Sequence, residues 1–179
     1  MRRVFALTAI VLAVPSLLSS QGAARSAISL AAGVNGVGLA SDPSLGLVVQ
    51  AGYLRQYDRI AVRLGADYFR ENRFFISGES AHPRAIGATL ELSYDLLTSR
   101  FRPYVIGGWG LYHLTDTQVI APGMNAYSVD NLSASMVGGL GFRYQVGNRY
   151  LFTEARLHGF TGAGNWGSNF MPITAGMRF

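Results

Sequence analysis

Asn169-Phe-Met-Pro-Ile-Thr-Ala-Gly-Met-Arg-Phe179 ends the chain on an aromatic residue. Within it Met171, Ile173, Ala175, Met177 and Phe179 alternate with Phe170, Pro172, Thr174, Gly176 and Arg178. Successive side chains of an extended strand point to opposite faces, so a period of two gives each set its own face. One face is wholly apolar, and the other carries Thr174 and Arg178. A strand of this kind divides an apolar surrounding from a polar one.

The same partition recurs along the chain. Alternating segments lie at residues 26–35, 44–54, 59–69, 84–96, 103–114, 132–146, 150–160 and 169–179. Each matches or slightly exceeds the roughly 9–11 residues that a tilted strand needs to cross an outer membrane. In the second segment Leu45, Leu47, Val49, Ala51 and Tyr53 share a face; in the third Ile60, Val62, Leu64, Ala66 and Tyr68 do. The fourth gives Ile86, Ala88, Leu90, Leu92, Tyr94 and Leu96, and the sixth Leu132, Ala134, Met136, Gly138, Leu140, Phe142, Tyr144 and Val146. The seventh gives Leu151, Thr153, Ala155 and Leu157. None of these positions is charged. The opposite faces hold Arg63, Asp67, Glu91, Asp95, Arg143, Glu154, Arg156 and Arg178, in which the acids and the arginines balance. Lipid outside and a polar lumen inside require this division, because an Arg on the lipid face costs roughly 2–4 kcal/mol at the midplane. A soluble barrel inverts it, with apolar residues inside and dense charge, Lys included, outside. In residues 103–114 glycine falls on both faces, and Val105, Trp109 and Leu111 are assigned to lipid.

The connections carry an independent signal. Links at 56–58, 97–102 and 147–149 are short, and those at 36–43, 70–83, 115–131 and 161–168 are longer. Strict alternation of this kind separates periplasmic turns from extracellular loops and puts both termini on the periplasmic side. Aromatics near segment ends suggest interface belts: Tyr53, Tyr94, Tyr144, Tyr150 and Phe179 at the periplasmic level, and Tyr68, Trp109, Phe160, Trp166 and Phe170 at the outer one.

The start of the chain is consistent with export. Met1-Arg2-Arg3 precedes an apolar run at residues 4–14, then Pro15 and the small residues Ser19, Ser20, Gly22, Ala23 and Ala24. This is the layout of a secretory signal peptide, residues 1–24, with cleavage between residues 20 and 24. The run falls short of the roughly 20 residues that span a bilayer as a helix. No later segment is apolar for long enough to do so, which leaves a closed barrel as the membrane-spanning solution. The fold expected for residues 25–179 is therefore all-β: an eight-stranded antiparallel up-and-down transmembrane barrel.

Composition narrows the functions. The chain has no Cys, which excludes disulfides, thiolate metal sites and lipidation at a Cys. All 15 basic residues are Arg, and the formal charge of +5 becomes +3 once Arg2 and Arg3 leave with the signal. The arginines are scattered singly rather than clustered in a stripe, which argues against nucleic acid as a partner. His82, His113 and His158 lie in different segments without ligand-like spacing, so no metal is expected. Gly162-Ala-Gly164-Asn-Trp-Gly167 has the spacing of a dinucleotide loop but sits between strands, where the required helix is missing. No cofactor is expected. Glu154-Ala155-Arg156 aims two charges at the lumen by its i, i+2 spacing, where Arg63, Glu91, Arg143 and Arg178 can pair with them. Eight strands leave an interior just wide enough for side chains to fill.

Over residues 27–179 the chain resembles the small outer-membrane β-barrel domain proteins of diderm bacteria, the OmpA/OmpX-type barrels. The closing strand ending in Phe179, the Pro103-Tyr104 start of a Gly-rich strand and Glu154-Ala-Arg156 carry that resemblance. It implies a barrel without a periplasmic peptidoglycan-binding domain, set in outer-membrane lipid and lipopolysaccharide. It also implies that Ile173, Ala175, Met177 and Phe179 form the signal read by the barrel-assembly machinery. For function it implies a non-enzymatic scaffold with extracellular loops for envelope integrity, adhesion or partner contact. A narrow transport barrel for small molecules, apolar ones included, is the alternative reading, and a lipid A-modifying enzyme a third. The barrel deacylases place His and Ser two residues apart with a carboxylate orienting the His. The comparable stretch here, His158-Gly159-Phe160-Thr161, has Phe at the nucleophile position, and Thr161, one residue late, faces the other way.

Overall fold

The alternating segments fold into β1 (Arg25–Gly36), β2 (Leu45–Tyr57), β3 (Ile60–Phe74), the two-residue β4 (Ser80–Ala81), β5 (Arg84–Asp95), β6 (Phe101–Val119), β7 (Tyr127–Val146), β8 (Arg149–Thr161) and β9 (Pro172–Arg178). The computed structural model describes residues 25–36, 45–74, 80–81, 84–119, 127–161 and 170–179. The expected signal peptide, His82, Trp166 and the glycine motif at 162–167 lie outside the described residues.

Every neighbouring pair is antiparallel, and among the eight long strands neighbours in the chain are neighbours in the sheet. β1 pairs with both β2 and β9, so the first strand meets the last and the eight long strands close into an up-and-down barrel. Closure leaves no strand edge with unpaired backbone groups, the condition for a sheet to lie in hydrocarbon. The seam is held by the final residue: the Phe179 N–H donates to the Ile28 carbonyl at 2.9 Å, and its own carbonyl accepts from the Ile28 N–H at 3.2 Å.

Two of the short links are two-residue turns. Tyr57 pairs with Ile60 across Asp58-Arg59, and Val146 pairs with Arg149 across Gly147-Asn148. The first turn residue has positive φ in both, 49° at Asp58 and 60° at Gly147. A hairpin turn that follows the right-handed strand twist needs this, and Gly meets the need without a Cβ penalty. The expected long link at 115–131 is shorter than the sequence suggested, because β6 and β7 continue as a paired ribbon as far as Gln118↔Tyr127. Its strand-forming residues Thr117, Val119, Tyr127 and Val129 sustain a ladder where the apolar alternation has ended. Within the expected 70–83 link, β3 runs on to Phe74 and pairs with β4, which in turn pairs with β6.

The division of faces agrees with the alternation. Leu47, Val49, Tyr53, Leu64, Ile86, Leu92, Leu140, Leu151, Leu157 and Ile173 are exposed on the outer surface, and Trp109 reaches 64% exposure. Soluble monomers rarely expose apolar patches beyond a few hundred Å², yet here the apolar surface recurs on every long strand. Val105, Trp109 and Leu111 face outward as assigned. The aromatic belt differs in four places. Phe170 is buried inside and Phe160 packs against the interior cluster, because their parity follows Thr174 and His158 rather than the lipid face. Tyr150 likewise turns inward beneath the guanidinium groups of Arg102 and Arg143. Trp109 faces out but at mid-strand, opposite Leu90 and Met136.

Candidate functional site: the charged interior of the barrel

The inward residues build three stacked layers. Nearest the short turns, Asp95 at the end of β5 pairs with Arg143 of β7. The same carboxylate oxygen lies 3.7 Å from Arg102 and accepts from the Gln56 amide at 3.2 Å. Arg102 and Arg143 both stand over the Tyr150 ring, at 5.7 and 5.6 Å from its centroid.

The middle layer is a chain of alternating charge. Arg63 of β3 donates to Glu91 of β5 at 2.9 Å, and Arg156 of β8 donates to the other Glu91 oxygen at 2.6 Å. Arg156 also pairs with Glu154, two residues back on its own strand, through its Nε at 2.9 Å and through Nη2. Glu154 then accepts from the Tyr104 hydroxyl at 2.5 Å and from Arg178 of β9 at 3.3 Å. The i, i+2 spacing of Glu154 and Arg156 is what points both into the lumen. Arg178 lies against the Tyr104 and Phe152 rings, at 5.3 and 5.1 Å.

Above it, Asp67 lies 3.9 Å from Arg63 and accepts from the Tyr112 hydroxyl at 2.8 Å. The Tyr112 oxygen is 3.2 Å from Nδ1 of His158. With the tyrosine proton committed to Asp67, geometry assigns Nδ1–H of the imidazole as donor to Tyr112. Phe69, Phe160 and Phe170 close around this trio, the Phe69 and His158 rings meeting edge to face at 5.1 Å. Val48, Ala85 and Leu114 complete the cluster.

All eight charged residues assigned to the lumen are buried there, Arg143 at 1% exposure. Four cations (Arg63, Arg143, Arg156, Arg178) face four anions (Asp67, Glu91, Asp95, Glu154), so this set of charges is neutral overall. Each charge nonetheless loses hydration that only close pairing offsets. The sequence reading did not name Tyr104, Tyr112 or Phe69 as interior residues. The signal for the tyrosines was present: assigning Val105, Trp109 and Leu111 outward sends Tyr104 and Tyr112 inward by parity.

Glycines make the room. A Cβ on Gly108 would stand 2.4 Å from the Leu90 carbonyl oxygen, and one on Gly141 would stand 2.7 Å from the Tyr104 ring. Gly87 and Gly110 flank Tyr112 in the same way, each with a Cβ position 2.4 Å from its ring. The large inward Tyr104 and Tyr112 side chains thus face glycine on a neighbouring strand, Gly141 and Gly87, and Tyr112 also covers Gly110 of its own strand. At mid-depth the remaining void among Arg63, Glu91, Glu154 and Arg178 is ≈ 10 Å³, about one water.

Among the described residues the arrangement offers packing and ion pairing. His158 is fully buried, and its Nδ1 neighbour is a tyrosine hydroxyl, not a serine or threonine. His113 faces outward, 3.9 Å from Asp130. Among the described residues no three metal-ligating side chains converge.

No model of a known protein family matches the chain, and no curated protein matches its sequence. Solved structures do. Neisserial surface protein A is similar at a TM-score of 0.61 and 20% identity, over 88% of this chain and 98% of that one. A major outer membrane protein from Thermus thermophilus is similar at 0.58 and 14% identity, over 88% of this chain and 100% of that one. The outer membrane enzyme PagL is similar at 0.51 and 14% identity, over 86% of this chain and 98% of that one. The chain has the fold of the small outer-membrane β-barrels.

Proposed function

We propose that the protein is an integral outer-membrane barrel serving as a non-catalytic scaffold, whose longer connections make contacts with partners or stabilise the envelope. Residues 1–24 act as the cleaved export signal, both termini lie in the periplasm, and lipid and lipopolysaccharide surround the apolar belt. Ile173, Ala175, Met177 and Phe179 serve as the signal for the barrel-assembly machinery. The supporting observation is the filled lumen: the chain of ion pairs from Arg63 to Arg178 crosses it, and the space left beside that chain is ≈ 10 Å³.

A conduit needs a continuous path, and packed ion pairs at mid-depth oppose one. PagL, an outer membrane enzyme, has a similar fold, so the fold leaves catalysis open and the residues bear on it. Here the inward histidine is boxed by aromatic rings, and the hydroxyl at its Nδ1 belongs to a tyrosine. The test is single-channel recording in planar bilayers together with an assay for release of acyl chains from lipid A. The scaffold reading expects electrical silence and no release. A persistent wild-type current replaces it with transport, and acyl release replaces it with an enzyme.

A further inference from the structure

At the end of the barrel where β1 starts and β9 finishes, below Glu154, lies an open pocket of ≈ 240 Å³. Arg25, Arg102 and Arg178 line it, with Gln56, Tyr150 and one acid, the turn residue Asp58. Arg143 stands just behind, because it and Arg178 share the Tyr104 ring at 5.5 and 5.3 Å. The buried acids nearby are already engaged. One Asp95 oxygen serves Arg143, Arg102 and Gln56, and Glu154 takes a single nitrogen of Arg178.

Positive donors are therefore in excess. Nε and Nη1 of Arg178, and Nε and Nη1 of Arg143, have no hydrogen-bond partner among the described residues, although both side chains are at least nine-tenths buried. The second Asp95 oxygen is also unmatched; were it to turn toward Arg143, three donors would remain. Leaving buried guanidinium donors unpaired is costly, and their planar fork suits an oxyanion.

We infer that this pocket is a binding site for a small oxyanion, a phosphate or a carboxylate. Arg178 grips the anion from the barrel side, and Arg102 and Arg25 close on it from the mouth. The pocket exceeds the roughly 10–15 Å³ that holds one water many times over, which admits an anion of several heavy atoms. Ala27 and Leu54 in the lining add apolar wall, which strengthens each contact relative to open solvent. The site stands independently of the scaffold reading, since the lumen above it stays filled whether or not an anion binds.

The experiment is calorimetric titration of the refolded chain in maltoside micelles with inorganic phosphate, against chloride at matched ionic strength. Heat-modifiable gel mobility confirms folding of every variant. Arg178 is left intact because Glu154 also depends on it. Arg25→Gln and Arg102→Gln act at the mouth, and Arg70→Gln, on the outward face near the far end of β3, serves as control. Saturable binding is expected, weakened about tenfold or more in each mouth variant, the scale of a lost charge-assisted hydrogen bond, and unchanged in Arg70→Gln. Tighter binding of succinate than of phosphate, lost in the same variants, upholds the site and assigns it to carboxylates. No saturable heat with either anion overturns the inference, as does equal binding by the double mouth variant and wild type.

Discussion

Glu154 accepts from three inward groups, Arg156, Arg178 and Tyr104, that come from three different strands. Its side chain is 1% exposed, so water does little to offset a lost partner. Glu154→Ala leaves Arg156 with Glu91, which Arg63 also uses, and takes from Arg178 its acidic partner. Urea unfolding in liposomes is expected to show a loss of about 3–5 kcal/mol, the cost of breaking a buried pair. Glu154→Gln keeps an acceptor for Tyr104 and is expected to lose less. Stability unchanged by the Ala substitution means that water fills the middle layer and that the ion pairs contribute no packing.

At the scale of the strand, side-chain size is matched across neighbours. β6 carries Tyr104 and Tyr112 inward with Gly108 and Gly110 between them, and the gaps receive Glu91 and Thr89 of β5. This is why glycine occurs on both faces of β6: the inward ones make space for charged and aromatic neighbours. Thr89 is 1% exposed and its hydroxyl fills the space over Gly65, so an arginine there overpacks the lumen. The clean probe of orientation is on the outer face. Leu64, midway along the apolar stripe of β3 and opposite Leu90, is expected to cost about 2–4 kcal/mol when changed to Arg. Reversible folding into vesicles measures it. A neutral Leu64→Arg would show that this face meets water and that the apolar belt lies elsewhere.

For the molecule as a whole, closure is the event on which everything inside depends. β9 is seven residues long and contributes Thr174 and Arg178 to the lumen while sealing β1 to β8. Its last residue is followed by Phe179, which completes the seam through two backbone hydrogen bonds to Ile28, and the Phe179 ring lies 5.3 Å from the Arg149 guanidinium. Deleting Phe179, or changing it to Asp, is expected to reduce the heat-modifiable folded form recovered from outer membranes. Refolding the purified deletion variant into vesicles separates causes. Normal refolding there, with poor recovery from cells, points to recognition during assembly, and poor refolding in both points to the seam. Unchanged yield and mobility in cells argue against both.

Alternation by itself determined which residues share the apolar outer face and which eight charges face inward, whereas the closed barrel was reached only with the sorted link lengths and the family resemblance. Period-two patterning is a local property, and a buried charge or an exposed leucine is legible wherever the two sides of a strand meet different media. Pairing was not legible. That Arg156 bridges Glu91 and Glu154, that Asp95 serves Arg143 and Arg102, and that Tyr112 stands between Asp67 and His158 depends on strand register and barrel stagger. Register brings together residues as far apart in the chain as Glu91 and Arg156, 65 positions. Phe170 and Tyr150 were misplaced for a different reason: their parity, legible in the sequence, sets them with Thr174 and with Glu154, and nearness to a strand end does not change the face. Only the tertiary structure decided how full the lumen is, because filling is a sum of side-chain volumes across strands, and no single strand records what its neighbours leave empty.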